Sequence, residues 1–178
     1  MTSYSQAGQD LWVMRMHPQS GSYLEIGASH PTAINNTYLL EQHGWKGVSF
    51  DIDPVNETAW KQTRSNPLII TDALTFDWVS FCDLPFVTDY LQVDIDPAHQ
   101  SLQVLETILN TGAEFKLITF EHDAYVDGGV VRELSRRLLA AHGYTLHTAD
   151  VETMGMIFED WYINEKYINL WNTETQQK

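Results

Sequence analysis

Alternating strand-like and helix-like patterns predict an α/β fold for this 178-residue chain. The expected form is a Rossmann-like, doubly wound, mostly parallel seven-stranded sheet, with the last strand antiparallel and helices on both faces. Three observations lead there. The phrase Asp-Ile-Asp-Pro occurs twice, at 51–54 and 94–97, each time between a short apolar run and a helical pattern. Gly44, Gly112 and Gly143 stand where helical patterns stop, the position a C-terminal glycine favours. The last two apolar runs are joined only by Glu152-Thr153-Met154-Gly155, short enough for a hairpin that reverses the final strand.

Taken in order, Ser3 to His17 reads as a leading helix closed by Pro18, and Tyr23 to Ile26 as the first strand. A helix is expected from Thr32 to His43, a strand from Gly47 to Asp51, and a helix from Pro54 to about Arg64. Leu68 to Thr71 reads as the third strand, Leu74 to Cys82 as a short helix, and Tyr90 to Asp94 as the fourth strand. Leu102, Leu105, Ile108 and Leu109 mark the next helix, and Phe115 to Phe120 the fifth strand. A helix from Gly129 to His142 is expected to bury Val130, Val131, Leu134, Leu138 and Leu139. Tyr144 to Asp150 and Met156 to Ile163 form the closing hairpin, where alternation should turn either Trp161 or Tyr162 outward. In both Asp-Pro phrases the second Asp, Asp53 or Asp96, suits an N-cap and the Pro suits the first helical turn. One domain is expected over residues 1–178, with the leading helix inside 1–20 and a frayed polar tail at 172–178.

Composition narrows the function. The formal charge of −14, with 10 basic against 24 acidic residues, opposes nucleic acid as partner, because phosphate backbones are bound by Lys and Arg. An anionic membrane is opposed on the same ground, and no apolar run approaches the roughly 20 residues of a membrane span. One cysteine, Cys82, precludes a disulfide within the chain and agrees with a reducing, cytoplasmic setting. The N-terminus carries no signal-peptide pattern. A small-molecule acceptor fits this balance better than a polyanion.

Two constellations carry chemistry. In the first, Glu25-Ile26-Gly27-Ala28-Ser29-His30 occupies the first strand-to-helix turn, where a glycine and free N–H groups let a ligand approach the backbone. Of the three glycines of a dinucleotide fingerprint this turn keeps only Gly27, with Ala28 and His30 among the residues after it, so a diphosphate is disfavoured and a phosphate-free cofactor such as S-adenosylmethionine is better suited. Asp51, 24 residues after Gly27 and followed by Ile52, stands where an acid accepts hydrogen bonds from a ribose diol. Asp72-Ala73 ends the third strand and could border an adenine, or Asp72 could cap the short helix after it.

The second constellation is Asp94, Asp96, Glu121, His122 and Asp123, which the expected strand order brings to one crevice. Three readings stay open. His122 could be a general base toward an acceptor hydroxyl, with Asp94 and Glu121 orienting it. Asp94, Glu121 and His122 could instead hold a divalent metal, magnesium or manganese, that acidifies that hydroxyl. Or the group is a polar network at the strand ends. Arg132 and Arg136 read as a salt-bridged surface, and His17, His43 and His142 as residues of helix ends.

Several phrases resemble the FkbM-type S-adenosylmethionine-dependent methyltransferases. They are Tyr4-Ser5-Gln6-Ala7-Gly8-Gln9-Asp10, Leu24 to Pro31, Asn36-Thr37-Tyr38 and Gly44-Trp45-Lys46-Gly47 leading to Asp51. Ile118 to Asp123, Gly143-Tyr144 and Phe158-Glu159-Asp160-Trp161 resemble one branch of that family. The resemblance implies the class I methyltransferase sheet and O-methylation of a sugar or other small molecule. It implies Glu25, Gly27 and Ala28 beside the methionine and ribose, Asp51 on the ribose, Asp72 on the adenine and Asp94 near the sulfonium. Asp96-Pro97 departs from the acid and glycine that many members carry there. No separate lid is evident, so a homodimer or a partner could complete the pocket. Two other classes fit the same residues: a metal-dependent hydrolase using Asp94, Asp96, Glu121 and His122, and a non-catalytic partner-binding module.

Overall fold

The structure, a computed structural model, describes residues 1–82 and 87–168; the tail expected at 172–178 lies outside the described residues. Seven strands form one sheet in the order β3-β2-β1-β4-β5-β7-β6. They are β1 (Ser22–Ile26), β2 (Lys46–Asp51), β3 (Leu68–Ile70), β4 (Val87–Val93), β5 (Glu114–Glu121), β6 (Tyr144–Thr153) and β7 (Met156–Asn164). All pairs from β3 to β5 are parallel, and β7 runs antiparallel to both β5 and β6. The predicted doubly wound sheet with one reversed strand is therefore the observed fold. The chain order of neighbours reverses between β1 and β4, which opens a crevice at their carboxyl ends.

Strand parity sorts the core into two layers. Leu24 and Ile26 of β1, Leu91 and Val93 of β4 and Ile118 and Phe120 of β5 face one side. There they pack on Val104, Leu105, Ile108 and Leu109 of α5 (Ala98–Asn110) and Val131 and Leu139 of α7 (Val130–Ala141). The alternate residues Tyr23, Tyr90 and Leu117 face the other side, against Trp12 and Val13 of α1 (Gln9–Met16) and Leu40 of α2 (Tyr38–Gln42). Covering both faces explains a correction in β7. Trp161 and Tyr162 do point to opposite faces, but each face has its own core, so both are buried.

Several helices are shorter than expected, for local reasons. Residues 3–8 fold around Asp10, whose carboxylate accepts from the Ser3 and Ser5 hydroxyls and the Tyr4 and Leu11 N–H groups, so α1 starts only at Gln9. The expected helix from Thr32 shrinks to α2 because the Asn35 side chain accepts from the Thr37 and Tyr38 N–H groups, offering the backbone a turn instead. After β2, Asp53 caps a 3-10 turn (Pro54–Asn56) that leads into α3 (Glu57–Thr63), as predicted. Asp96 does not repeat that role: the Asp96–Pro97 peptide is cis and Pro97 itself is the N-cap of α5. Asp72 and Asp77 hold the turns before α4 (Trp78–Phe81), which replaces the longer helix expected from Leu74. Along α7, Val131 and Leu139 are buried as predicted, whereas Val130 and Leu134 are exposed, following the short α6 (Ala124–Asp127). Among the described residues, no helix is long and apolar enough to cross a membrane.

Candidate active site

A cavity of about 900 Å³ opens at the carboxyl ends of β1, β2, β3, β4 and β5. Every residue expected to touch a cofactor lines it. Gly27, at the end of β1, has φ +81, and its N–H and that of Ala28 both donate to the Phe50 carbonyl. A Cβ at Gly27 would lie 1.6 Å from the Asp94 carbonyl oxygen. Its glycine is thus required by the close approach of β4, in addition to any ligand.

Next to it, the loop is pinned to β2. Ser29 (φ 49) donates its N–H to Asp51 Oδ2 at 2.6 Å, and the Asp53 N–H donates to Asp51 Oδ1 at 2.8 Å. Each carboxylate oxygen keeps a second lone pair toward the cavity. His30 Nδ1 accepts from the Thr32 and Ala33 N–H groups, so His30 shapes the loop with one nitrogen while lining the cavity. Asp72 Oδ1 accepts from the Leu74 N–H, the capping role weighed for it, yet Asp72 and Ala73 also line the cavity. Ile52 is 66% exposed at the rim and Phe50 is fully buried beneath, giving two apolar walls.

Glu25 is buried and accepts from the Thr37 and Ser49 hydroxyls at 2.8 and 2.5 Å. Burial pushes its carboxyl upward, with Arg64 acting against that shift. Arg64 is the residue sequence reasoning passed over, and it organises this side of the site. Its buried guanidinium donates to Glu41, the Pro31 carbonyl, Asn35, Tyr23 and Thr37, and lies 4.3 Å from the centre of the Trp60 ring. One buried cation thereby ties α2, α3 and the loop after Ala28 together. A lone Arg directly after a helix with a buried Trp was the available signal, read only as a helix end.

At the other end of the cavity the carboxyls of Asp94 and Glu121 lie side by side, with Asp123 next to Glu121. All three carboxyls are pushed up, first by burial and then by the charge of neighbouring carboxylates, Asp96 among them. Carboxyls this close do not ionise independently, and a proton shared between Asp94 and Glu121 offsets their repulsion. Asp96 lines the same end and adds its charge to both Asp94 and Asp123.

His122 is not there, which corrects the expectation of one cluster. Residues 121 and 122 follow strand parity: Glu121 faces the cavity, whereas His122 is fully buried on the α7 side. Its Nδ1 accepts from the Ala124 N–H, and its Nε2 lies 3.6 Å from Asp160 Oδ1. Asp160 also binds Arg136, which with Arg132 engages Asp150, so the two arginines form the salt-bridged surface expected of them. The metal trio Asp94, Glu121 and His122 is not brought together. Among the described residues, the group whose ligand atoms converge is His122, Asp150 and Asp160, and its carboxylates are already paired with arginine.

Behind Glu121, its register partner Glu159 is buried, accepts from Gln9 and from the Trp161 indole, and is pushed up to about 8, chiefly by burial. Gln92, paired with Glu25 across β1 and β4, lines the cavity with a buried Oε1 that has no hydrogen-bond partner.

No family model and no curated protein matches this sequence. Solved structures do. The N-terminal domain of EvdMO1 with SAH bound is 14% identical, at TM-score 0.60 over 91% of this chain and 81% of that one. Human methyltransferase-like protein 13 in complex with SAH is 15% identical, at TM-score 0.57 over 96% and 87%. The fibrillarin pre-rRNA processing protein of Methanococcus jannaschii is 14% identical, at TM-score 0.60 over 83% and 67%. At such identities the likeness is one of fold, and the fold is that of the Rossmann-like class I methyltransferases.

Proposed function

We propose that this chain is an S-adenosylmethionine-dependent methyltransferase of the FkbM-like type, acting on a hydroxyl of a sugar or other small molecule. The observation that carries the reading is the lining of the cavity. Seven of its lining residues are acidic and none is Lys or Arg. Such a wall disfavours a dinucleotide or nucleoside triphosphate, whose phosphates call for cations or free N–H groups. It suits a nucleoside that carries a positive charge and no phosphate. SAH in two of the similar structures supports the same cofactor.

The residues fit that group. Asp51, anchored by Ser29 and Asp53, has lone pairs left for a ribose diol. Ile52 and Ala73 offer apolar surface to a flat base and Asp72 a free carboxylate oxygen at its edge. Gly27 and Ala28 keep the backbone open beside Glu25 and Asp94. When bound, S-adenosylmethionine supplies an electrophilic methyl group, which the acceptor oxygen takes in line with the departing thioether.

Asp94 is the base in this reading, because its carboxylate lines the cavity at the end of β4, beside that of Glu121. It removes the hydroxyl proton as the carbon–oxygen bond forms, and Glu121 keeps it oriented. Positioning in a closed, low-dielectric cleft supplies the larger part of the rate. His122 enters only by supporting the β5 end from the opposite face. The testing experiment is calorimetric titration with S-adenosylhomocysteine, with and without magnesium or manganese. Micromolar binding independent of metal is expected. Absence of binding by the folded protein in both conditions would overturn the reading.

A further inference from the structure

S-adenosylmethionine brings one anion into the cleft, the α-carboxylate of its methionine end. Its sulfonium and α-ammonium find acids among the lining residues, but no Lys or Arg lines the cavity to meet the carboxylate. An anion there has to be held by uncharged N–H donors, through charge-assisted hydrogen bonds. The carboxamides that line the cavity are those of Gln6, Asn36, Gln92 and Gln100. Gln6 is exposed on the N-terminal segment, and Gln100 stands in the first turn of α5, just after Asp96. Gln92 lies in the strand floor, and the atom it leaves buried without a partner is Oε1, an acceptor that a carboxylate cannot serve.

Asn36 differs from all three. It is 9% exposed, lines the cavity, and its carboxamide makes no hydrogen bond among the described residues. Both its neighbours are fully engaged. Asn35 donates its Nδ2 to the Ala28 carbonyl at 3.1 Å and its N–H to the Tyr4 carbonyl at 3.0 Å, while its Oδ1 accepts from the Thr37 and Tyr38 N–H groups. Thr37 donates its hydroxyl to Glu25 Oε2 at 2.8 Å. From behind, Arg64 donates to Asn35 Oδ1 and to Thr37 Oγ1, so the turn is fixed on either side of Asn36. A buried carboxamide left unpaired in so constrained a turn is costly unless a ligand completes it.

We propose that the Asn36 side chain donates its N–H to the α-carboxylate of S-adenosylmethionine. The inference rests on the methyltransferase reading and adds to it the residue that recognises the cofactor's acidic end. In that reading the methionine portion lies beside Glu25 and Gly27, and Thr37 ties the chain at Asn36 to Glu25. The carboxamide is free at both ends, so it can turn its N–H toward an incoming anion. Its neutrality matters as well. A Lys or Arg at this place would pair with the acids around it, whereas a carboxamide stays available to the ligand.

The test uses the full chain, titrated calorimetrically with S-adenosylhomocysteine and with its decarboxylated analogue, which keeps the adenosine, thioether and amine and lacks only the carboxylate. Asn36→Ala should weaken S-adenosylhomocysteine at least about tenfold, the scale of one charge-assisted hydrogen bond, and leave the analogue within about twofold. Asn36→Asp keeps the shape and sets an anion against the carboxylate. It should weaken S-adenosylhomocysteine further and leave the analogue bound as tightly or more so. A variant that merely disturbs the loop weakens both ligands alike. Equal weakening of the two, or S-adenosylhomocysteine binding unaffected by Asn36→Ala, would overturn the proposal alone. A folded parent protein that binds neither nucleoside would remove the methyltransferase reading beneath it.

Discussion

Gly27→Ala tests the architecture of the cleft at its tightest point. The new Cβ would lie 1.6 Å from the Asp94 carbonyl oxygen and 2.7 Å from its carbon, where real contacts do not come under 3.0 Å. The end of β4 would therefore have to withdraw from β1, loosening the hydrogen bond from the Asp94 N–H to the Ile26 carbonyl, now 3.0 Å. Holding a non-glycine residue at φ +81 adds about 1–2 kcal/mol. One or two weakened strand hydrogen bonds add about 1 kcal/mol each. Together these give a loss of about 2–4 kcal/mol, which for a chain of this size lowers the melting temperature by roughly 5–15 °C. Urea unfolding followed by tryptophan fluorescence reads the stability. Calorimetry with S-adenosylhomocysteine reads the site, and affinity should fall at least tenfold because the withdrawal of β4 distorts the cavity wall that Gly27, Ala28 and the end of β4 form together. A variant as stable as the parent, with cofactor affinity intact, would refute the claim that β1 and β4 meet at this glycine.

Arg64→Met should cost about 3–5 kcal/mol in the same unfolding assay, because the buried Glu25 and the half-buried Glu41 would lose their cation. Asp51→Ala should weaken S-adenosylhomocysteine binding at least tenfold by releasing the Ser29 N–H and the ribose acceptor together. Asp94→Asn should cut turnover at least 100-fold while cofactor affinity, read by calorimetry, changes by only a few-fold. Glu159 is held protonated in the folded chain up to about pH 8, well above the ordinary carboxyl value. The folded state then binds more protons than the unfolded one between about pH 4.5 and 8, so stability from this group is present below that window and falls as pH rises through it, at most about 1.4 kcal/mol per unit. Glu159→Gln should flatten the slope between pH 6 and 8 in a series of urea titrations.

The sheet was legible in the sequence because its signals were local and repeated. Apolar runs ending in Asp, and the glycines after the helices, mark strand ends and helix stops independently of what surrounds them. Helix lengths were not legible, since side chains competed for the backbone. Asn35 takes two N–H groups that a longer α2 would have used, and Asp10 gathers the segment before α1 into a turn. The repeated Asp-Pro phrase misled at its second copy for a similar reason. Asp53 caps its helix, whereas α5 takes Pro97 as its N-cap and Asp96 lines the cavity without capping. Arg64 went unnoticed because its importance lies in partners 23 to 41 residues away, a distance at which sequence pattern is silent.

The division of Glu121 from His122 shows how far such a reading reaches. Both residues stand at the end of β5, and one-dimensional spacing places them together with Asp94. Strand geometry separates them, since neighbours on a strand face opposite sides of the sheet. Glu121 shares its face with Thr119, and so with Gln92 and Glu25 across the parallel pairs, which carries it into the cleft. His122 falls on the face of Ile118 and Phe120, where α7 supplies Arg136 and β7 supplies Asp160. Parity could have been applied in advance: Leu117, Thr119 and Glu121 alternate with Ile118, Phe120 and His122. What the sequence could not supply was which face carries the cleft. That depends on Gly27 and Asp94 meeting between β1 and β4, and on Glu25 being the buried acid of β1 on the α1 side. Once that face is known, the carboxylate of Glu121 belongs to the cleft and the imidazole becomes a prop beneath the strand end.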